Sequence, residues 1–375
     1  MPSPDPTRRV LFLAWQGARA GIERHLATLI GMLPPRFQPT VAFLSTGGTI
    51  ADDLAAAGVP THVIGMRRSY DPRGGRAVAS LVRGGGFDLV HDHSTMAPAA
   101  IVGLAFAGVP IVVTEHLAMS QRRLDQQLSY RLLSRFVECF IANSEATRRD
   151  LVAHGVAASR VRVVHLGLPL TPSPATIDST RARAALGLRT PESAPLVGFV
   201  GRLEPEKGCR RFVQVAARVA AARPDATFAV VGDGSQRDLV AADVAAAGLR
   251  ERLVMTGQRA DIEQLYPAFD VLVSTSLRET FGLAILEAMA AGVAVAAFDV
   301  GGVRELVGSD TGELVRADDV EALAHAVIGL LRDPERRRAI GARARVVADE
   351  RFTATRMVDQ VVAIYDEVLA ARRRR

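Results

Sequence analysis

Two glutamates interrupt a largely apolar stretch, LRETFGLAILEAMAAG at residues 277–292, which follows a strand-like run. Phe281, Gly282 and Leu283 open a helix there, where free backbone N–H groups attract anions and a glycine lets a ligand come close. Glu279 precedes this helix, and Glu287 lies inside it among apolar neighbours, so burial on all sides is predicted. Either Glu287 lies at a helix edge in solvent, or it meets a polyol or nucleotide, because a carboxylate buried alone is costly.

A cationic loop, GRLEPEKG, follows another strand pattern that ends at Gly201. Arg202 and Lys207 flank this loop, and Lys207 is the only lysine in the chain. Either this is chance, or the position needs the compact point charge of an ammonium group. A Walker A motif requires Ser or Thr after the lysine, whereas Gly208 and Cys209 follow here, so ATP hydrolysis is not expected.

Histidines follow two neighbouring strand patterns of the N-terminal half. His91 and His93 belong to one pattern, and His116 follows the next one. Strand alternation places His91 and His93 on one side, which makes a metal pair one interpretation and ordinary hydrogen-bonded histidines the other. His116 is interpreted either as a ligand contact or as a histidine satisfied at the edge of the core. The two cysteines are far apart and predict neither a disulfide nor a zinc site.

Strand and helix patterns alternate along the whole chain, which predicts an α/β fold of parallel sheets covered on both faces. The predicted strands are residues 10–15, 41–44, 61–64, 88–91, 111–114, 139–142, 161–165, 196–200, 227–231, 252–255, 270–274, 293–297 and 313–315. A length of 375 residues predicts two domains. We place them at 1–168 and 181–350, joined by a Pro-, Ser- and Thr-rich linker at 169–180. A C-terminal helix, 351–375, is expected to pack back on the first domain.

The basic charge is concentrated in the first half of the chain. Residues 1–185 hold 20 arginines and 13 acidic residues, a net charge of +7, whereas the remainder carries −1. The excess indicates either a solvated arginine-rich surface or an anionic partner, such as a membrane surface or a phosphorylated acceptor. Arg122 and its neighbour Arg123, with Arg131 and Arg135, are expected to contribute to a membrane-binding surface. Nucleic acid is not expected as a partner, because aromatic residues make up only 5% and do not interleave with the arginines.

No membrane span or export signal is predicted. The N-terminal apolar run is too short for a signal peptide. Residues 96–113 lack charge, but prolines and glycines interrupt them, so we read them as a helix, a turn and a buried strand. The expected location is the cytoplasm, including peripheral contact with the inner face of the cytoplasmic membrane.

Several motifs together resemble a known family. GRLEPEKG, VGDG, TGQR, ETFGLAILEAMAAG and GGVREL in the second half, with AGIERH, DLVHDHS, TEH and ANSEATRRDL in the first, are similar to the retaining glycosyltransferases of family 4. The resemblance covers nearly the whole chain. It implies the GT-B fold, an α/β architecture of two Rossmann-like, doubly wound parallel-sheet domains that face a central cleft.

The resemblance implies roles for residues of the second domain. Arg202 and Lys207 would hold the donor diphosphate, while Glu287 would bind ribose hydroxyls and Glu279 the hydroxyls of the transferred sugar. Backbone N–H groups around Gly282, with those of its neighbours Phe281 and Leu283, would reach the phosphate and sugar. Arg259 would lie beside the base.

In the first domain, the resemblance places His116 beside the reacting sugar and the Gly17–Gly21 loop near the acceptor and the phosphate. The family often has paired glycines in this loop, whereas Ala20 takes the first place here. The methyl group of Ala20 leaves less space beside Gly21 than the family's first glycine would. This difference affects the expected contact with the acceptor rather than the donor site.

The implied activity is hexosyltransferase-type transfer from a nucleotide-diphosphate sugar, as in cell-envelope or polysaccharide synthesis of bacteria. The acceptor would be a glycan, a lipid-linked compound or a small molecule, and no cofactor or essential metal is expected. Retention would follow from front-side displacement through an oxocarbenium-like state. Two alternatives stay open: a GT-B sugar-nucleotide epimerase or hydrolase, and a nucleotide-sugar-binding protein without catalysis.

Overall fold

The computed structural model describes residues 6–18, 21–119, 122, 124–169, 179–188 and 193–374. The chain divides into two compact units: the first unit contains residues 1–169 and 354–375, and the second contains residues 170–353. Most of the predicted linker, 169–180, lies outside the described residues, as does Ala20.

The first unit is built on a parallel sheet of seven strands in the order β3-β2-β1-β4-β5-β6-β7. The strands are β1 (Arg8–Gln16), β2 (Phe37–Thr46), β3 (Thr61–Val63), β4 (Leu89–Asp92), β5 (Ile111–Glu115), β6 (Cys139–Ala142) and β7 (Val161–Val163). Its helices before the second unit are α1 (Gly21–Gly31), α2 (Thr49–Ala56), α3 (Pro72–Gly85), α4 (Pro98–Ala105), α5 (Leu124–Leu133) and α6 (Glu145–Ala153). The strand order reverses between β1 and β4, where sheets of this kind bind ligands.

Strand β1 shows why this sheet is covered on both faces. Leu11 and Leu13 pack into one apolar cluster, while Phe12 and Ala14 pack into another on the opposite side. A strand buried on both faces reads as a continuous apolar run, which is the pattern that the sequence presents here.

The second unit repeats the design with a six-stranded parallel sheet in the order β10-β9-β8-β11-β12-β13. Its strands are β8 (Leu196–Val200), β9 (Thr227–Val231), β10 (Leu253–Gly257), β11 (Val271–Ser274), β12 (Ala294–Asp299) and β13 (Gly312–Arg316). Its helices are α7 (Ser179–Ala185), α8 (Cys209–Ala222), α9 (Arg237–Ala246), α10 (Ile262–Leu265), α11 (Leu283–Ala290), α12 (Val303–Leu306), α13 (Val320–Arg332) and α14 (Pro334–Arg351). Here the order reverses between β8 and β11, which is the second unit's switch point.

The chain returns to the first unit through a final helix, α15 (Ala354–Arg373). The helix predicted from residue 351 starts later, because Arg351 ends α14 and Phe352 packs on Phe281 with ring centroids 5.7 Å apart. The backbone N–H of Ala354 then donates to the carbonyl of Leu168 at 2.7 Å.

The charge-free stretch at residues 96–113 contains α4 and the start of β5, as the sequence analysis expects. No helix within the described ranges is both long and apolar enough to cross a membrane. Both cysteines, Cys139 and Cys209, are free and buried.

Candidate active site

Two loops at the switch point of the second unit hold each other in place. A hydrogen bond joins the loop after β8 to the loop after β11: the N–H of Leu277 donates to the carbonyl of Glu206 at 2.8 Å. The hydroxyl of Thr275 donates to the carbonyl of Gly208 at 2.9 Å. The cationic loop and the first of the two glutamates are therefore brought together by backbone contacts.

Lys207 and Glu279 form an ion pair between these loops. Lys207 Nζ lies 2.6 Å from Glu279 Oε2, and the hydroxyl of Ser276 donates to the same oxygen at 3.3 Å. The lysine and glutamate side chains are only 22% and 14% exposed. A cation and a hydrogen-bond acceptor are thus held side by side at a protected position.

A glycine pair fixes the backbone of Glu279 from the other side. The N–H of Gly302 donates to the Glu279 carbonyl at 3.2 Å, and Gly301 has φ 52°. A Cβ added at Gly301 would lie 1.7 Å from that carbonyl oxygen. Only glycine fits this approach, which explains the GGVREL motif in structural terms.

Helix α11 begins at Leu283, four residues after Glu279. Gly282, at φ 108°, precedes its first residue, Leu283, and Phe281 is buried beneath it. The first intrahelical bond runs from the N–H of Leu286 to the carbonyl of Gly282 at 3.0 Å. The earlier N–H groups of a helix have no intrahelical acceptor, so this end offers donors to an anion.

Glu287 is buried, with 7% of its surface exposed. The hydroxyl of Tyr266 donates to Glu287 Oε2 at 2.6 Å. The solvent-edge interpretation of Glu287 is therefore wrong, and a protein hydroxyl contacts the carboxylate that the sequence analysis left without a partner. Tyr266 is a site residue that sequence reasoning missed.

The two predicted arginines of this unit bind elsewhere in the loops. Arg202 is 60% exposed and pairs with Glu206 at 2.8 Å. Arg259 forms a two-pronged contact with Asp261, at 2.8 and 2.7 Å, and donates to the carbonyl of Ala185 at 2.9 Å. The structure thus brings together Lys207 and Glu279, whereas the assignments of Arg202 and Arg259 to a ligand stay predictions.

Gly17 and Gly21 flank the loop between β1 and α1 in the first unit. Gly17 packs against α2: its carbonyl accepts the N–H of Ile50 at 2.9 Å, and an added Cβ would lie 2.9 Å from the Cβ of Ala51. Gly21 is exposed at the first position of α1. Gly17 therefore has a packing role, and the acceptor contact of this loop stays a prediction.

His91 is fully buried, and both of its ring nitrogens are engaged. Nδ1 lies 2.5 Å from the hydroxyl of Tyr365 on α15, and Nε2 lies 2.7 Å from the hydroxyl of Thr114. Burial lowers the pKa of His91 to about 3, with a further contribution from His25. The pairing of His91 with His93 as metal ligands is therefore wrong, because His91 has no free nitrogen to offer.

His93 instead meets His116 and His25. His93 Nδ1 and His116 Nε2 are 3.1 Å apart, and the His25 ring lies 5.5–5.6 Å from both of theirs. Burial lowers the pKa of His25 to about 4 and the pKa values of His93 and His116 well below 6.5. All three are neutral imidazoles at pH 7. Sequence reasoning missed His25, although it lies within the AGIERH motif.

Two family models match successive parts of this chain. The model of Glycosyltransferase Family 4 matches residues 19–171, and that of Glycosyl transferases group 1 matches residues 183–347. The 2-deoxystreptamine N-acetyl-D-glucosaminyltransferase of Streptomyces fradiae is 34% identical over 304 residues, which cover 74% of this chain and 70% of that protein. The chain belongs to the group 1, family 4 glycosyltransferases.

Other similar proteins agree with this membership. A 2-deoxystreptamine glucosyltransferase of Streptomyces kanamyceticus is 43% identical over 165 residues, but this covers only 43% of the chain and 42% of that protein. Among solved structures, Anabaena HepE in complex with UDP and glucose matches with a TM-score of 0.84 at 26% identity, covering 96% and 99% of the two chains. The GT-B fold expected from the sequence is confirmed.

Within this glycosyltransferase, each unit supplies one group of chemically competent side chains. The second unit offers an ion pair, a buried carboxylate and a helix start around the ends of β8 and β11. The first unit offers neutral imidazoles beyond the ends of β4 and β5. The assignment of His116 to the reacting sugar stays a prediction.

Proposed function

We propose that this glycosyltransferase transfers a sugar from a nucleotide-diphosphate sugar, with retention of the anomeric configuration. One observation carries the proposal, namely the 2.6 Å contact between Lys207 and Glu279 at the switch point of the second unit. A donor sugar joins its phosphate through a single C–O–P linkage, so a cation for phosphate and an acceptor for sugar hydroxyls have to be neighbours. The UDP and glucose bound to Anabaena HepE support this choice of donor.

The donor's other groups are assigned by what the surrounding loops offer. The start of α11 around Gly282 faces the phosphates, and Glu287 accepts the ribose hydroxyls. Arg202 joins the diphosphate after leaving Glu206, which costs little because an exposed ion pair contributes only about 0.2–1 kcal/mol. Arg259 lies beside the base.

The chemistry rests on neutralising the leaving diphosphate. Lys207, Arg202 and the helix start supply positive charge where negative charge develops, so we propose that transfer needs no divalent metal. The acceptor oxygen attacks the face that the phosphate leaves, through an oxocarbenium-like state. The leaving phosphate oxygen takes the acceptor's proton, and the C–O bond to phosphate is replaced by a C–O bond to the acceptor on the same face.

The acceptor is proposed to be a polyol hydroxyl on a glycan, a lipid-linked compound or a small molecule. Names of similar proteins contain 2-deoxystreptamine, D-inositol 3-phosphate and phosphatidyl-myo-inositol. These three compounds share a hydroxylated six-membered carbocycle, which supports testing cyclitols first.

We also propose peripheral contact of the first unit with an anionic membrane at the inner face of the cytoplasmic membrane. Leu124, Leu128 and Leu132 lie four residues apart on α5 and are 83%, 60% and 48% exposed. Phe106, which directly follows the neighbouring α4, is 77% exposed. We call these four residues the apolar stripe. A helix face of this kind with basic neighbours is typical of interfacial binding.

Basic residues accompany the apolar stripe, although not all those expected from the sequence. Arg131 and Arg135 are exposed. Arg122 is not, since it pairs with the buried Glu115 at 2.9 Å and lies 4.8 Å from the ring centre of Tyr130. The contribution of Arg122 to a membrane surface, expected from its position beside Arg123, is therefore wrong.

Acceptor-dependent product formation tests the proposed transfer. The protein is incubated with UDP-, GDP- and ADP-sugars, a panel of cyclitol and sugar acceptors, and a strong chelator. We expect nucleoside diphosphate release that requires an acceptor, and a product in which NMR shows the donor's anomeric configuration. Release that is equally fast without acceptor would indicate a hydrolase or epimerase, and binding without release would indicate a non-catalytic protein.

A further inference from the structure

Three imidazoles from three segments meet in the first unit: His25 on α1, His93 after β4 and His116 after β5. We call them the three-histidine cluster. Their ring centroids form a triangle with sides of 5.3–5.6 Å, and one nitrogen of each lies within 4.8 Å of the others. Phe12 packs within 6.1 Å of the His93 ring, so one wall of the cluster is apolar.

Two nitrogens of the cluster are buried without an evident role. His25 and His93 are 8% and 1% exposed, and in the described part of the chain His25 Nδ1 and His93 Nε2 have no hydrogen-bond partner. Buried polar atoms are nearly always paired with protein, water or an ion. The donor site of the second unit does not account for these two atoms. Of the two, His25 Nδ1 is the atom available to an ion that also binds His93 through Nδ1.

We propose that the three-histidine cluster binds one divalent transition-metal ion, with Zn²⁺ as the representative ligand. Zinc–nitrogen bonds of about 2.0–2.1 Å in tetrahedral geometry separate neighbouring nitrogens by about 3.3 Å. The 3.1 Å between His93 Nδ1 and His116 Nε2 is close to that value. The ligand nitrogen of His25 lies within 4.8 Å of the other two and completes the set by moving inward by up to about 1.5 Å.

The ligand chemistry selects the class of ion. Neutral imidazoles suit Zn²⁺, Cu²⁺ or Ni²⁺, whereas Mg²⁺ and Ca²⁺ prefer oxygen ligands. Three protein ligands leave a fourth position for water or a hydroxyl oxygen.

Uptake of Zn²⁺ alone by the full-length, chelator-treated protein tests the proposal. Equilibrium dialysis is expected to give one ion per chain. His93→Gln is expected to weaken binding at least about 100-fold, since loss of even an outer-shell partner costs about 10–100-fold. His62→Gln, at an exposed histidine outside the cluster, is the matched control and should leave uptake unchanged.

Imidazole NMR of the unsubstituted protein keeps the test decisive if His93→Gln does not fold. Zn²⁺ is expected to shift the ring resonances of His25, His93 and His116 and to leave those of His62 and His325 in place. The proposal is overturned if no stoichiometric uptake occurs, if His62→Gln abolishes uptake, or if the shifted resonances belong to histidines outside the cluster.

A consequence for transfer rests on the proposed function and is tested separately. An ion bound to His116 occupies the lone pair of a residue that is predicted to face the sugar, so Zn²⁺ should inhibit transfer. The Zn²⁺ concentration that gives half-maximal inhibition should equal the one that gives half-maximal uptake. The fractional inhibition by Zn²⁺ is measured for the unsubstituted protein and for His93→Gln. Inhibition that arises from Zn²⁺ bound to the donor diphosphate should be the same in both, so the difference between them reports the cluster. Stoichiometric uptake without inhibition would leave the metal site in place and refute the assignment of His116.

Discussion

Lys207 is held 2.6 Å from Glu279 by two interlocked loops. A charge-assisted hydrogen bond contributes about 1.5–3 kcal/mol, and about 1.4 kcal/mol corresponds to one decade. Lys207→Ala is therefore expected to lower kcat/KM at least about tenfold. Lys207→Arg should retain only part of the unsubstituted kcat/KM, because a planar guanidinium does not replace a compact ammonium group.

The control for this substitution is Arg218→Ala, which removes an exposed cation paired with Glu321 on the same unit. We expect its kcat/KM to stay within about twofold of the unsubstituted value, because exposed pairs contribute about 0–1 kcal/mol. A folded Lys207→Ala protein with unchanged kcat/KM would refute the assignment of Lys207 to the diphosphate.

At the residue scale, the sequence predicts which side chains are buried but not which residues they contact. The apolar neighbours of Glu287 predict that it is buried, and the structure agrees. Its contact with Tyr266 is not predictable, because the two residues lie 21 positions apart on separate elements. The same holds for His25, which joins His93 and His116 only through the packing of α1 on the sheet.

At the scale of elements, the glycine pair after β12 positions the loop of Glu279. Gly301→Ala would place a Cβ 1.7 Å from the Glu279 carbonyl in a left-handed conformation that costs non-glycine residues about 1–2 kcal/mol. We expect the free energy of unfolding to fall by at least about 1 kcal/mol and kcat/KM to fall more than tenfold. Urea unfolding and initial rates measure the two effects.

Gly329→Ala is the control for Gly301→Ala. Gly329 lies inside α13, and nothing lies within 4 Å of an added Cβ. Alanine there should stabilise the protein by up to about 1 kcal/mol, because glycine is the poorer helix former. A Gly301→Ala protein that matches Gly329→Ala in stability and rate would show that the glycine pair does not position Glu279.

The apolar stripe leads to a separate prediction about membrane contact. Leu124→Gln combined with Leu128→Gln should weaken sedimentation with anionic vesicles, because exposed leucines otherwise insert at the interface. Arg131→Gln combined with Arg135→Gln should weaken it by about 1 kcal/mol per arginine and reduce its sensitivity to salt.

The control is Leu239→Gln, at a leucine of the second unit that is 48% exposed. This variant should bind anionic vesicles as the unsubstituted protein does. With vesicles of lipids that carry no net charge, the unsubstituted protein should stay in the supernatant. If the unsubstituted protein stays in the supernatant with anionic vesicles at low salt, the first unit's basic surface is only solvated.

The thirteen strands of the described residues coincide with predicted ones to within a few residues, because most of them are apolar runs buried in a sheet. The exceptions are short edge strands such as β3, which is largely exposed. The sequence pattern does not reveal the break between α14 and α15. Their boundary depends on Phe352 packing on Phe281 and on Ala354 bonding Leu168, contacts with residues distant in the chain.

At the scale of the whole molecule, the buried histidines make the first unit sensitive to acid. Burial lowers the pKa values of His25 and His91 to about 4 and about 3, and those of His93 and His116 well below 6.5. In the unfolded chain the same groups take up protons near pH 6.5, so stability present above that pH is lost as the pH falls toward 4.

Asp92 opposes this trend in part, since burial raises its pKa to about 6 and the folded form binds a proton that the unfolded form does not. Between pH 7 and 5.5 we expect the free energy of unfolding to fall by on the order of 4 kcal/mol, from about 1.4 kcal/mol per proton and pH unit. The four histidines contribute a loss of about 5 kcal/mol, and Asp92 offsets about 1 kcal/mol of it. Urea unfolding in chelator measures it through Trp15, the only tryptophan, which lies in β1 of the first unit. A free energy of unfolding that is constant from pH 7 to 5.5 would contradict neutral burial of these histidines.

The donor site of the second unit is tested most directly by calorimetry with free nucleoside diphosphate, combined with transfer rates. Glu287→Gln should weaken nucleotide binding at least about tenfold, because Glu287 is assigned to the ribose and a hydrogen bond to a charged group contributes about 1.5–3 kcal/mol. Glu279→Gln should leave nucleotide affinity within about twofold and lower the transfer rate, because Glu279 is assigned to the sugar. Equal losses of nucleotide affinity in both variants, or no loss in either, would contradict this assignment.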